Sequence, residues 1–83
     1  MTESISLKET LIDIAKAIVE HPDDVTVAES REDSTITLTL SVHPDDMGMV
    51  IGRNGKIAKA IRTVIKAAAV TGNVPEKVNV EIR

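Results

Sequence analysis

The residues of this chain best suited to chemistry are Val50-Ile51-Gly52-Arg53-Asn54-Gly55-Lys56, between two helical patterns. Two glycines three apart let the backbone turn sharply, since a residue without Cβ reaches conformations closed to others. They also let another backbone come close. A long helical pattern opens at Lys56, so free N–H groups leave the turn at the positive end of a helix dipole. That is a site for an anion, most simply a phosphate. Arg53 and Lys56 add positive charge at the same place.

The chain around this stretch is short. Its 83 residues, 42% hydrophobic and 28% charged, make one small domain of ordinary globular composition, residues 1–83. A chain of this length buries only somewhat over half of its unfolded surface, so the stability margin is thin. There is no cysteine, hence no disulfide and no thiolate metal site. No apolar run approaches the ~20 residues that span a bilayer. The acidic start, Met1-Thr2-Glu3-Ser4, lacks the basic region of a signal peptide. These features predict a cytoplasmic protein with no membrane partner.

A net charge of −3 argues against a polyanionic ligand, but the distribution reverses that argument. Residues 1–49 carry eleven acids against Lys8, Lys16 and Arg31, a balance of −8. Residues 50–83 carry seven bases against Glu76 and Glu81, a balance of +5. Such asymmetry suggests one anion-binding face on a body kept soluble by acids.

The elements that position the glycine stretch follow from periodicity. Ser6-Leu7-Lys8-Glu9 is a capping-box pattern. Leu7, Leu11, Ile14 and Ile18, with Ala15, then form one apolar stripe, so a helix is expected over residues 7–20, ended by His21-Pro22. Residues 25–30 alternate as a short strand, and Arg31-Glu32-Asp33-Ser34 is a polar turn. Over residues 35–42 every even residue is aliphatic and every odd one a hydroxyl, the period of a half-buried strand. The two strands are expected to form an antiparallel hairpin with a solvated hydroxyl face. Pro44-Asp45-Asp46 opens a short helix to about residue 50, which should turn Met47, Val50 and Ile51 inward. A helix over 56–70 follows, with Ile57, Ile61, Val64, Ile65 and Ala68 as its core stripe. On its other side Lys59, Arg62 and Lys66 fall within about a sixth of the circumference at ~100° per residue. Thr71-Gly72-Asn73 ends it, and Val78, Val80 and Ile82 alternate in a last strand. The predicted fold is α+β, in the order αββααβ, a three-stranded sheet with one face covered by three helices.

Set between two helices in that order, the stretch from Ile51 to Lys56 resembles the Ile-Gly-x-x-Gly signature of KH domains, in which the loop clamps the backbone of about four nucleotides. The order αββααβ is like the type II KH topology. Over its whole length, including the His-Pro-Asp-Asp turn before the second helix, the chain is similar to the small bacterial single-KH-domain proteins called KhpA. The resemblance implies that RNA phosphates lie against the amides of Arg53, Asn54 and Gly55, and that bases pack in an apolar groove floored by Val50, Ile51 and Leu40. Lys56, Lys59 and Arg62 complete the expected RNA-binding set. It further implies single-stranded RNA as partner, self-association as a homodimer, pairing with a larger KH-containing protein called KhpB, and a role in RNA chaperoning or post-transcriptional control.

Other chemistries fit poorly. Aligning a Walker A loop on Gly55-Lys56 puts Val50 at its first glycine and Ile57 at the magnesium hydroxyl. A Gly-x-Gly dinucleotide pattern is missing. His21-Pro22-Asp23-Asp24 recurs as His43-Pro44-Asp45-Asp46, which hints at a His/Asp metal site, but helix-boundary chemistry explains both copies. The expectation is therefore no enzyme, no metal and no cofactor. With no Phe, Tyr or Trp, bases cannot be held by stacking on aromatic rings, worth ~1–3 kcal/mol each. Binding by one domain should be weak and poorly sequence-specific. The alternative is a protein-interaction module that keeps this fold without using the groove. Its support is Ala67-Ala68-Ala69-Val70, small residues around a helix end that admit a second chain.

Overall fold

The structure, a computed structural model, describes residues 6–83, so the acidic start at residues 1–4 lies outside the described residues. Helix α1 spans Leu7–Ile18, capped by the Ser6 hydroxyl, which accepts from the Glu9 N–H at 3.2 Å. It ends two residues before the expected position. The cause is tertiary: the His21 N–H donates to the Asp46 carboxylate, 25 residues along the chain, at 2.9 Å. Val19 is already extended, and the chain crosses a short 3₁₀ turn, Pro22–Asp24, into the sheet.

Strands β1 (Thr26–Glu32) and β2 (Thr35–Ser41) pair antiparallel, and β3 (Lys77–Ile82) pairs parallel to β2, giving the order β1-β2-β3. The first strand of the hairpin runs two residues further than expected, to Glu32, because the turn is only Asp33-Ser34, and β2 stops one residue early, at Ser41. Both turn residues have positive φ, 49° and 64°, whose backbone twist matches that of the flanking strands. Being central, β2 carries the cleanest alternation: Ile36, Leu38 and Leu40 are buried, and the hydroxyl residues between them lie on the opposite face. Val27 on β1 and Val78 and Val80 on β3 share the buried face with them.

A 3₁₀ turn, Pro44–Asp46, leads into the short helix α2 (Met47–Ile51). After the glycine turn comes α3 (Lys56–Thr71). Helices α1 and α3 pack on each other and on the sheet, and α2 wedges against both, so one sheet face carries all three helices. The expected core stripe of α3 is rotated by about one residue. Ala58, Ile61, Ile65 and Ala69 are buried, Ala68 is half-buried, and Ile57 and Val64 are exposed at 38% and 49%. Small side chains on the core face let the helix sit close to the sheet, which turns the two larger residues outward. On α2, Val50 is buried as expected and Met47 is half-buried, whereas Ile51 faces solvent.

Candidate nucleic-acid interface

The loop between α2 and α3 is a tight turn, Arg53–Gly55, entered through Gly52. Gly52 has φ 77° and ψ 174°, a region reached almost only by glycine. A Cβ there would stand 2.3 Å from the Ile57 side chain and 2.9 Å from its backbone nitrogen, so the bare backbone is what lets α3 start directly beside the end of α2. Gly55 is also left-handed, with φ 74°, but a Cβ there would meet nothing within 4 Å. The two glycines thus serve different ends: Gly52 allows a close approach, and Gly55 only a turn. Asn54, at φ 57° and ψ 26°, is left-handed too, a conformation that asparagine and aspartate tolerate better than other side chains.

The amides of the turn divide in the same way. Gly52 N–H donates to the Gly48 carbonyl at 2.9 Å and Gly55 N–H to the Gly52 carbonyl at 3.2 Å. Among the described residues, no backbone acceptor meets the N–H groups of Arg53 and Asn54. Of the three amides expected to face phosphates, Gly55's is therefore already engaged within the loop, and the two before it remain open.

Arg53 and Asn54 are exposed at the tip, and Lys56, Lys59, Arg62 and Lys66 extend the positive charge along α3. Among the described residues none of these five bases forms an ion pair; the pairs that exist involve His21, Arg31, His43 and Arg83. No acid occurs from residue 47 to residue 75. Arg62 Nε donates to the Val80 carbonyl of β3 at 3.2 Å, which ties the basic side of α3 to an edge strand of the sheet. That contact with a strand 18 residues away carries no signal in the sequence.

The expected groove floor is differently built. Val50 and Leu40 have no exposed surface and belong to the core, and Ile51, 38% exposed, is the aliphatic surface beside the loop. A cavity of about 370 Å³ lies at the far end of α3, bounded by Arg31, Glu76 and Val74, away from the glycine turn. No group of three or more His, Asp or Glu side chains that could hold a metal occurs among the described residues, and no helix among them is long and apolar enough to cross a membrane.

An αββααβ chain with a mixed three-stranded sheet, helices on one face and a Gly-x-x-Gly turn joining its second and third helices is a type II KH domain. The family model described as "KhpA/KhpB, KH domain" matches residues 8–82, and the chain belongs to that family. It is 55% identical to the RNA-binding protein KhpA of Clostridium acetobutylicum, over 92% of this chain and 99% of that protein. To the protein of the same name in Bacillus subtilis it is 45% identical, over 92% of this chain and 91% of that one. Among solved structures, an Aquifex aeolicus Era variant bound to GDP and aluminium fluoride superposes with a TM-score of 0.69 at 16% identity. The match covers 92% of this chain but 29% of Era, and it bears on fold alone.

Proposed function

We propose that the protein binds single-stranded RNA, gripping about four nucleotides with the loop from Gly52 to Gly55. The observation that carries this reading is the run of unpaired bases, Arg53 to Lys66, beginning at a turn with two open amides. Phosphates meet the Arg53 and Asn54 amides and the Arg53 and Lys56 side chains, with Lys59 and Arg62 drawing the strand along α3. Without aromatic rings, bases are held by Ile51, by the face above Val50 and by hydrogen bonds to their edges. Binding by one domain is accordingly weak and low in sequence preference, and the protein acts by binding, without catalysis. The names of the relatives support RNA as the ligand. The cellular role that fits is post-transcriptional control, including RNA chaperoning, in the cytoplasm.

A salt titration tests this directly. The logarithm of affinity for a short single-stranded RNA is expected to fall with the logarithm of salt at a slope near −3, because each neutralised phosphate of a single strand contributes about 0.7. A slope near zero, or no binding at low salt, rejects the reading.

A second reading, self-association, rests on the outward-turned residues of α3. Ile57 and Val64 are seven residues apart on one face, with Ala60 between them and Ala67 three residues further on, all exposed. A second copy, or a larger KH-containing protein of the KhpB kind, covers this stripe, while the basic side of α3 stays open. Two grooves in one assembly strengthen RNA binding through effective concentration. Val64→Glu is expected to convert a dimer into a monomer in sedimentation equilibrium with the melting temperature held. A wild type that is monomeric at every concentration tested removes this reading and leaves the RNA site untouched.

A further inference from the structure

The two His-Pro-Asp-Asp turns, far apart in sequence, meet in the fold. The His21 and His43 rings stack at 4.0 Å between centroids and 15° between planes. Asp46, from the second turn, is the one buried charged residue among the described residues, with no exposed surface. Its Oδ2 accepts from the His21 backbone N–H at 2.9 Å and from His21 Nδ1 at 3.0 Å, while Oδ1 meets no partner among the described residues. His43 Nδ1 accepts from the Asp45 N–H at 3.0 Å, capping the turn that leads into α2 and placing that ring's hydrogen on Nε2.

This cluster sits where the phosphate loop needs support. Helix α2 has only five residues, about 7.5 Å at 1.5 Å each. A helix that short does not hold itself together in water, so tertiary contacts must set its place. At one end Val50 is fixed in the core, and Gly52 follows two residues later. At the other end the hold is Asp46, whose two strong bonds both come from His21. A buried carboxylate that loses a hydrogen bond is costly and moves toward water, and the start of α2 would move with it.

We propose that His21 and Asp46 form a positioning clamp for the phosphate loop, and that protonation of His21 tightens the grip of that loop on single-stranded RNA. The proposal rests on the RNA reading above and adds to it two residues that touch no RNA. The groups facing His21 are Asp46, Asp45 and the His43 ring from the second turn and Asp24 from its own. The hydrogen bond to Asp46 raises the His21 pKa above its ordinary 6.5; burial opposes the rise, and the charges of Asp46, Asp24 and Asp45 add to it. Burial alone would raise the Asp46 carboxyl, but the bonds from the His21 ring and backbone, with the charge of His21, bring it below its ordinary 3.8. The stabilising share of His21 is therefore complete below 6.5 and is lost as pH rises through its higher folded value. That of Asp46 is complete above 3.8 and is lost as pH falls through its lower one. The clamp is strongest between these limits.

The test uses the full chain, a fluorescein-labelled single-stranded RNA of mixed sequence, and amide hydrogen exchange of the free protein. His21→Ala is expected to speed exchange through α2 and the loop and to weaken RNA binding about fivefold, as for a loop that is competent about a fifth of the time. His21→Asn, whose side-chain amide donates to Asp46 at every pH, restores most of both. Wild-type affinity is expected to fall about two- to threefold from pH 5.5 to 8.5 as the competent fraction declines, and His21→Asn to be flat. The proposal is overturned if His21→Ala matches wild type in loop exchange and affinity, or if His21→Asn keeps the wild-type pH profile. Should His21→Ala fail to fold, the pH profiles of wild type and His21→Asn decide the matter. A wild type that binds no RNA at any pH overturns the RNA reading itself, and loop exchange then judges the clamp alone.

Discussion

Replacing Arg53 and Asn54 together by aspartate is expected to weaken RNA binding at least 100-fold while leaving the melting curve in place. Arg53→Asp changes the loop by two charge units and Asn54→Asp by one, at the two residues whose amides are open. Each charge-assisted hydrogen bond to a phosphate contributes about 1.5–3 kcal/mol. Losing one and adding repulsion reaches the ~2.7 kcal/mol that 100-fold requires. Stability is spared for local reasons. Both side chains are exposed, and neither is paired with any group among the described residues. Aspartate, like asparagine, tolerates the left-handed backbone at position 54. Equal binding by wild type and double variant, measured by fluorescence anisotropy, would remove the loop from the RNA site.

The second large effect separates the two glycines. Gly55→Ala is expected to cost about 1–2 kcal/mol, the ordinary penalty for a side chain in left-handed backbone, since its Cβ enters open space. Gly52→Ala is expected to cost more than about 3 kcal/mol. Its backbone conformation is nearly exclusive to glycine, and its Cβ would overlap Ile57 at 2.3 Å, with a backbone atom at 2.9 Å behind it. In a domain this small a loss of that size is a large part of the total. Thermal or urea unfolding of the two variants checks the order, and equal losses would contradict the close approach at Gly52.

These two positions look alike in the sequence, and they mark where reading from sequence stops. The order αββααβ, the Ile36-Leu38-Leu40 face of β2 and the glycine turn were all legible, because each rests on local periodicity or local backbone chemistry. What was not legible depended on partners distant along the chain. The rotation of α3 that buries Ala58 and Ala69 and exposes Ile57 and Val64 follows from how closely α3 approaches the sheet, which no helical repeat encodes. The early end of α1 and the burial of Asp46 come from one contact between residues 21 and 46, although the repeated His-Pro-Asp-Asp marked both ends of it. The engagement of Gly55's amide within its own turn, and the full burial of Val50 and Leu40 in the core, likewise needed coordinates.

The most direct test of the central claim is to titrate the ¹⁵N-labelled protein with a four-nucleotide single-stranded RNA and follow its amide resonances. The largest shifts are expected on Arg53 and Asn54, with smaller ones at Ile51, Lys56, Lys59 and Arg62, and the outer face of the sheet at Thr37 and Thr39 is expected to stay still. Shifts centred on that hydroxyl face, or on Val64 and Ala67 with the loop silent, would contradict that claim.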